Sequence, residues 1–297
     1  MTPRRGTGDD TGDEALTACP PPDLMLEPLA RAALLEDLGG YGDVTTRAVV
    51  PPGAVCSARL CAREAGVVSG MQMAAIVFRL TDAALRIDIL HPDGSACAPG
   101  DVLMRIEGAA AAILSAERVA LNFAGRLSGV ASLTARFVAE TKGTRARITC
   151  TRKTTPGLRL VEKQAVLHGG GCNHRIGLSD AMLIKDNHIA AAGGVGAALG
   201  AARRAASHMI RIAVEVETLD QLDEVLGTGG ADVVLLDNMG TEALAEAVRR
   251  VDGRMITEAS GNMRLGRIGQ VAATGVDYIS CGALTHSAPI LDLALDF

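Results

Sequence analysis

The chain has 297 residues, a formal net charge of −5, 48% hydrophobic residues and only 2% aromatic residues. This length allows one large α/β domain or two smaller ones with a substantial core. No run of about 20 uninterrupted apolar residues is present, so the sequence predicts no membrane span. The acidic balance and the scarcity of aromatic rings for base stacking argue against a nucleic-acid partner.

Residues 1–23 are polar, acidic and rich in Pro and Gly, a composition typical of a disordered tail. They lack the apolar segment of an export signal. The seven cysteines are scattered singly without a CxxC pair, which favours reduced thiols over a disulfide framework or a zinc site. These features predict a cytoplasmic protein.

A smaller domain that mixes helices and strands is predicted for residues 24–128. It begins with a helix over LEPLARAALLEDL, and strands follow around VCSARLCAREAGVV and LRIDIL. A helical stretch from Ser115 to Phe137, with Ser115 as a plausible N-cap, then leads into the second domain.

Six short apolar runs alternate with Ala- and Leu-rich helical stretches within residues 129–285. The runs are RARITC, AMLIK, RIAVEVE, ADVVLLD, MITEAS and VDYISC. This alternation is typical of parallel strands buried on both faces. Reactive side chains follow every run, and the carboxyl ends of barrel strands meet on one face. The pattern therefore favours an α/β barrel, either complete or incomplete, with an active site on that face.

A cationic segment interrupts this acidic chain. Residues 145–185 contain eight Lys and Arg residues and two acidic residues, a net charge of +6, while the remaining residues carry −11. Three of the four lysines, Lys153, Lys163 and Lys185, lie in this segment. Such a concentration indicates a site for a small anion. Within the segment, Lys163 and His168 are interpreted as surface residues.

Two basic clusters in this segment are candidate anion ligands. Arg152 and Lys153 follow a strand and can present a guanidinium and an ammonium to a carboxylate, although a solvated basic loop is the alternative. His174 and Arg175 follow three glycines, which let the backbone approach a ligand closely. A flexible helix end is the alternative there.

Charged residues at the ends of three strands form a second group of candidates. Lys185 closes an apolar run, where its charge requires either an anionic ligand or a salt bridge to Asp186 or Glu215. A lysine that forms a Schiff base is the other functional alternative. Glu215 and Glu217 share strand parity, so both are expected on one face. With Asp237 they can hold Mg²⁺ or sugar hydroxyls, or they balance charge at the barrel mouth.

The last two strands end in small residues, at Ser260-Gly261-Asn262 and at Gly282-Ala283. In barrels the final two loops, with a helix N-terminus, commonly bind phosphate. Tight turns are the alternative reading.

Six segments, in order, carry a resemblance to a known family: TRKTTPGLR, GGGCNHRIGLSDAMLIKDNH, VEVET, LLDN, EASGN and CGALTHS. They resemble quinolinate phosphoribosyltransferase, also called nicotinate-nucleotide pyrophosphorylase (carboxylating). The resemblance runs from residues 36–46 to near the C-terminus. It implies an N-terminal α/β sandwich and an open α/β barrel of six or seven parallel strands. The C-terminal segment 286–297 is expected to pack on the N-terminal domain.

The implied reaction transfers phosphoribose from phosphoribosyl pyrophosphate to quinolinate, with decarboxylation, to give nicotinate mononucleotide, pyrophosphate and CO₂. The implied cofactor is Mg²⁺. The resemblance also implies a homodimer or larger assembly, in which Arg118 reaches into the neighbouring subunit's site. No nucleic-acid or membrane partner is implied.

The resemblance assigns roles to residues at matching positions. The quinolinate ligands are Arg152, Lys153, His174, Arg175 and Lys185. Glu217 and Asp237 hold the ribose hydroxyls and Mg²⁺. The 5′-phosphate ligands are Ser260, Gly261, Asn262, Gly282 and Ala283. The residues expected to act in catalysis are Lys153, Lys185, Glu217 and Asp237.

The sequence departs from the family pattern at Cys150, where an acidic residue is often found. Three other functions remain open at this point. They are a molybdenum-operon protein of the same fold, an aldolase that forms a Schiff base through Lys185, and a non-catalytic protein that binds an anionic metabolite.

Overall fold

The structure, a computed structural model, describes residues 19–297. Most of the predicted tail, residues 1–18, lies outside the described residues, and the first described helix begins at Asp23. In the described range no helix is long and apolar enough to cross a membrane. The N-terminal helices are α1 (Asp23–Leu38), α2 (Val44–Val49), α3 (Met71–Thr81) and α4 (Ala110–Ala139).

An antiparallel sheet forms the N-terminal domain together with these helices. Its strands are β1 (Val55–Ala62), β3 (Arg86–Ile89), β5 (Val102–Ala109) and β12 (Leu293–Asp296), in the order β12-β1-β5-β3. The short strands β2 (Gly66–Val67) and β4 (Ala96–Cys97) pair separately. Because β12 pairs with β1, the last strand of the chain completes the first sheet.

The 30-residue helix α4 connects the two halves of the molecule, and it packs against α3 and against the first helix of the barrel. It begins at Ala110, so the expectation that Ser115 caps it is wrong. The three alanines at 110–112 favour helix and extend it directly from β5. The Ser115 hydroxyl instead donates to Asp43 Oδ2 at 3.2 Å. The predicted domain boundary at 128/129 falls inside α4.

Six parallel strands form the second sheet. They are β6 (Arg147–Thr149), β7 (Met182–Ile184), β8 (Ile212–Val216), β9 (Val233–Asp237), β10 (Ile256–Ser260) and β11 (Tyr278–Ser280). Their order is β6-β11-β10-β9-β8-β7, and within residues 19–297 β6 and β7 do not pair with each other. One parallel bridge, between Thr149 and Cys172, extends the edge beside β6. All six predicted strands and the open barrel are confirmed.

Helices follow the barrel strands as the sequence predicts. They are α5 (Arg159–His168), α6 (Asp186–Ala192), α7 (Val195–Ala205), α8 (Leu219–Thr228), α9 (Thr241–Val251), α10 (Leu265–Ala272) and α11 (Ala283–His286). Their apolar faces cover the outside of the sheet, as Leu222 and Val225 of α8 do, both fully buried. The strands are therefore buried on both faces, which explains their apolar runs.

Two glycines on α4 let the C-terminal segment cross that helix closely. The Leu291 amide donates to the Gly125 carbonyl at 3.0 Å. A Cβ on Gly129 would lie 1.9 Å from the Pro289 carbonyl oxygen. Helix propensity alone favours Ala over Gly by about 1 kcal/mol, so close packing explains these glycines better than local structure does.

A buried ion pair joins three separate segments beneath the barrel mouth. The Glu162 carboxylate is fully buried and accepts from Arg126 Nη2 at 2.8 Å. It also accepts from the Thr155 amide at 3.0 Å and hydroxyl at 2.7 Å. Arg126 in turn donates to the carbonyl oxygens of Thr285 and Ala288. The pair thus links α4, the loop after β6 and the segment around α11.

We expect Glu162→Gln to lower the free energy of unfolding by about 3 kcal/mol, because it leaves the Arg126 guanidinium without its buried counter-ion. Chemical denaturation would measure this loss. Glu246→Gln is the matched control, since Glu246 pairs with Arg249 and Arg250 on the solvent face of α9. The control should keep the wild-type denaturation midpoint. An unchanged midpoint in Glu162→Gln would show that the buried pair contributes little.

Candidate active site

The carboxyl ends of the barrel strands surround a cavity of about 420 Å³, a size that suits a small ligand. Nine of the thirteen predicted site residues line it: Arg152, Lys153, His174, Arg175, Lys185, Asp237, Ser260, Gly261 and Asn262. Further lining residues include Glu215, Asn238 and Glu258. The strand ends therefore converge as the barrel topology predicts.

The loop after β6 presents Arg152 and Lys153 to the cavity. Besides the contacts of Thr155 with Glu162, Thr285 Oγ1 donates to the Lys153 carbonyl at 2.7 Å. Lys153 is exposed, whereas Arg152 is half-buried. Arg152 Nε is buried and has no hydrogen-bond partner among the described residues. An anionic ligand in the cavity would supply the missing acceptor.

Lys163 is buried and stabilises the loop that carries His174. Only 2% of Lys163 is exposed, so its interpretation as a surface residue is wrong. Its Nζ donates to the His174 carbonyl at 2.8 Å and to Cys150 Sγ at 3.0 Å. His168, also expected at the surface, is half-buried and contacts Ser69 Oγ at 2.8 Å. Lys163 therefore contacts residues of the barrel, whereas His168 contacts the N-terminal domain.

Arg175 supplies a second partly buried guanidinium. Its Nη1 donates to the Ala181 carbonyl at 2.9 Å, and its Nε has no partner in the described structure. Burial lowers the Arg175 pKa, and the positive charge of Arg152 lowers it further, against the negative charge of Asp180. Two neighbouring guanidiniums that repel each other gain when an anion binds between them. The pair is therefore suited to a ligand with adjacent carboxylates.

Lys185 is neutralised within the protein. Its Nζ donates to Glu215 Oε2 at 2.6 Å, and the Glu215 side chain is 14% exposed. Of the alternatives that the sequence leaves open for Lys185, the structure shows the salt bridge to Glu215. It leaves Arg152, Lys153 and Arg175 as the lining cations that form no direct ion pair with a carboxylate in the described part of the chain, although Asp180 attracts Arg175 from a greater distance.

Glu217, the predicted carboxylate, does not line the cavity, whereas Glu215 does. Strand β8 ends at Val216, and Glu217 lies beyond it as an exposed residue. Its amide donates to Gln221 Oε1 at 2.7 Å at the start of α8. The parity argument fails for Glu217 because alternation of side chains holds only within the strand. The role assigned to Glu217 stays a prediction.

The loops after β9 and β10 interlock at the cavity edge. Asn238 and Asn262 have φ values of 55° and 51°, in the left-handed region. Asn262 Nδ2 donates to Asn238 Oδ1 at 3.1 Å, and Asn238 Nδ2 donates to Asp237 Oδ2 at 2.7 Å. A Cβ on Gly261 would lie 2.2 Å from Asn238 Oδ1. Glycine is therefore required at 261, and it exposes backbone at the predicted phosphate site.

Three other predicted residues do not line the cavity. Gly282 packs beneath Lys153, since a Cβ there would lie 3.0 Å from Lys153 Cδ. Ala283 begins the four-residue helix α11. Arg118 is exposed on α4 and is not among the residues lining the cavity of its own chain.

Glu258 on β10 is a lining residue that the sequence analysis did not select. It is 6% exposed, and its Oε1 has no hydrogen-bond partner among residues 19–297. Oε1 lies 3.6 Å from His174 Nε2. Because the Arg175 amide donates to His174 Nδ1 at 2.8 Å, the proton of the neutral ring lies on Nε2, facing Glu258. A carboxylate in the middle of the buried run MITEAS was the available sequence signal.

Burial shifts both members of this pair toward their neutral forms. Together with the negative charge of Glu215, and against a hydrogen bond from Ser280, it raises the pKa of Glu258 to about 7. It lowers the pKa of His174 to about 4, assisted by the positive charges of Lys163 and Arg175. The contact between them is therefore not an ion pair at neutral pH, because desolvation outweighs their mutual attraction.

Cations without a carboxylate partner line this cavity beside the carboxylates Glu215 and Asp237. Such a site can bind an anion and stabilise positive charge that develops on a sugar. Among the described residues no group of three or more His, Cys, Asp or Glu side chains could hold a metal ion. One carboxylate together with ligand phosphates is the usual arrangement for Mg²⁺.

Comparisons with known proteins agree with this architecture. The family model "Quinolinate phosphoribosyl transferase, N-terminal domain" matches residues 43–128, and the corresponding C-terminal domain model matches residues 130–296. A Mycobacterium leprae protein named nicotinate-nucleotide pyrophosphorylase (carboxylating) is 43% identical over 274 residues. That alignment covers 90% of this chain and 95% of the other.

A Bacillus subtilis protein, a probable nicotinate-nucleotide pyrophosphorylase (carboxylating), is 41% identical over 92% of this chain and 93% of its own. The crystal structure of NadC from Streptococcus pyogenes superposes with a TM-score of 0.89 at 40% identity. It covers 93% of this chain and 98% of its own. The chain therefore belongs to the quinolinate phosphoribosyltransferase family.

Proposed function

We propose that this protein transfers phosphoribose from phosphoribosyl pyrophosphate to quinolinate and decarboxylates the product, giving nicotinate mononucleotide, pyrophosphate and CO₂. The observation that carries the proposal is the pair of partly buried guanidiniums of Arg152 and Arg175, each with an unpartnered Nε. Quinolinate has carboxylates on adjacent ring carbons, and planar guanidiniums bind carboxylates well. Lys153 at the cavity mouth adds a third positive charge.

The first step is displacement of pyrophosphate from C1 of the ribose by the pyridine nitrogen of quinolinate. Positive charge develops on the sugar in the transition state, and the carboxylates of Asp237 and Glu215, which line the cavity, are suited to stabilise it. The quaternary nitrogen then stabilises the electron pair left at C2 when CO₂ departs. Holding two anionic substrates in one orientation supplies a large part of the rate acceleration.

The 5′-phosphate of the sugar is assigned to the loops after β10 and β11. Ser260, Gly261 and Asn262 line the cavity with a backbone that Gly261 leaves open to a ligand. Gly282, which packs against Lys153, and Ala283 are assigned to the same phosphate site. Small side chains at these positions favour close approach of a phosphate.

Magnesium is part of the proposal. Asp237 is the cavity carboxylate suited to bind it together with substrate phosphates, and Glu217, exposed just beyond β8, is retained as the second proposed ligand. Bound Mg²⁺ would neutralise charge on the leaving pyrophosphate.

We further propose a homodimer or larger assembly in which Arg118 serves the partner's cavity. Its support is the position of Arg118, exposed on α4 and not lining its own chain's cavity.

A cytoplasmic location is also retained as a proposal, which cell fractionation would test.

The reaction itself is tested by incubating the purified protein with quinolinate, phosphoribosyl pyrophosphate and Mg²⁺. We expect nicotinate mononucleotide and CO₂ in equal amounts, with neither formed when Mg²⁺ is omitted or nicotinate replaces quinolinate. Binding of quinolinate without products would favour a binding protein. A reduced adduct after borohydride treatment with a carbonyl substrate would favour the aldolase reaction at Lys185.

Arg175→Ala should raise the KM for quinolinate by about 10- to 100-fold, because it removes a charged hydrogen-bond donor to a carboxylate. Lys185→Ala should lower kcat by at least about 10-fold, because it leaves Glu215 uncompensated in the cavity. Steady-state kinetics would separate the two effects. Arg145→Ala is the matched control, since Arg145 pairs with Asp277 at the exposed surface. Wild-type kinetics in both cavity variants would contradict the site assignment.

Arg118→Ala and Lys185→Ala should complement each other if Arg118 acts across the interface. Each variant alone should have at most about a tenth of the wild-type kcat, whereas co-expressed subunits form hybrids with one intact site. Random pairing of two variants in a dimer would restore about a quarter of the wild-type kcat. Absence of recovery in hybrids isolated with two affinity tags would show that Arg118 does not serve the partner's site.

A further inference from the structure

We propose that Glu258 is the acid that protonates C2 of the pyridine ring after CO₂ has left. This inference rests on the proposed function, because it names the proton donor for the second half of that reaction. Nicotinate mononucleotide carries hydrogen at the carbon where quinolinate carries a carboxylate. The reaction therefore requires a proton at that carbon.

The step balances without an oxidant or a reductant. The bond between C2 and the carboxylate carbon breaks, and its electron pair stays on C2 while CO₂ leaves. That pair takes the proton from the Glu258 carboxyl, which forms the C–H bond and leaves Glu258 as a carboxylate. A proton from water then restores the acid before the next turnover.

The position of Glu258 suits this task. On β10 it lies opposite Leu235 of β9 and Tyr278 of β11, two residues before Ser260 at the strand end. Two residues of strand correspond to roughly 7 Å, so Glu258 lies deeper in the barrel than the predicted phosphate loop. It also lines a second cavity of about 420 Å³, which Arg147 and Tyr278 line as well. The carboxyl therefore lies between the active site and a separate compartment.

Other groups in the cavity are poorer donors. The guanidiniums of Arg152 and Arg175 do not release protons in proteins. The Lys185 ammonium is held by Glu215 at 2.6 Å. His174 has a pKa of about 4 and carries no acidic proton at neutral pH. Lys153, exposed at the mouth, is the remaining rival.

The surroundings of Glu258 keep a substantial fraction of it protonated at neutral pH. Burial raises its pKa to about 7. The titratable and charged groups that face it are Glu215 on β8, His174 and Arg175 before β7, and Tyr278 and Cys281 on and after β11. A bound dianion adds negative charge and raises the pKa of the carboxyl further. We therefore expect loss of kcat at a higher pH than loss of kcat/KM, since these report the complex and the free enzyme.

The test is Glu258→Gln, which keeps the shape of the side chain but removes the acidic carboxyl proton. We expect kcat to fall by about 100-fold, with the KM for quinolinate unchanged and no alkaline loss of kcat. The first turnover should release pyrophosphate ahead of CO₂, because the unprotonated carbanion recaptures CO₂. Cys281→Ala, a change beside Glu258, is the control and should keep the wild-type pyrophosphate-to-CO₂ ratio.

Glu258→Asp keeps an acid but moves it, and it covers the case in which the Gln variant does not fold. We expect it to retain some turnover with a displaced alkaline limb. Wild-type kcat in Glu258→Gln, or a wild-type alkaline limb in Glu258→Asp, overturns the proposal. The proposal is also overturned if Lys153→Gln releases pyrophosphate ahead of CO₂ and Glu258→Gln does not. Failure of the wild-type protein to form nicotinate mononucleotide would instead contradict the proposed function.

Discussion

The site depends on a fully buried carboxylate, that of Glu162, and on the groups that compensate it. A buried charge is stable only when it is paired and hydrogen-bonded, and here the Arg126 guanidinium and the amide and hydroxyl of Thr155 meet that need. Because these groups come from α4 and from the loop after β6, satisfying one charge fixes that loop against the N-terminal domain. Arg152 and Lys153 lie on the loop that is fixed in this way.

Charge balance within the cavity divides its cations into two kinds. Lys185 is matched by Glu215, whereas the guanidiniums of Arg152 and Arg175 keep buried N–H groups without acceptors. An anionic ligand stabilises the unmatched cations more than the matched one, because only the unmatched cations lack a hydrogen-bond acceptor before the ligand binds. The guanidiniums of Arg152 and Arg175 are therefore available to adjacent carboxylates of a ligand, while Glu215 and Asp237 line the same cavity and can stabilise a sugar cation.

The incomplete barrel has a consequence deeper in the molecule. Within residues 19–297, β6 and β7 do not pair, and the second cavity opens near this gap, between Thr149, Cys172 and Met182. Glu258 and His174 lie between the two cavities, where desolvation moves the pKa of each toward its neutral form. A carboxyl that exchanges protons near neutral pH is thereby placed inside the barrel, almost completely shielded from solvent.

The sequence by itself determined the six strands, the helices between them and the cationic segment, because burial on both faces imposes apolar runs and helices impose their own period. It also determined most of the cavity lining, since barrel topology brings strand ends together. Only the tertiary structure decided between Glu215 and Glu217, because strand parity ends where β8 ends. Only the tertiary structure shows that Lys163 is buried and that Glu258 is buried with an oxygen that has no hydrogen-bond partner among the described residues. The desolvation of a charge depends on neighbours that are distant in the chain.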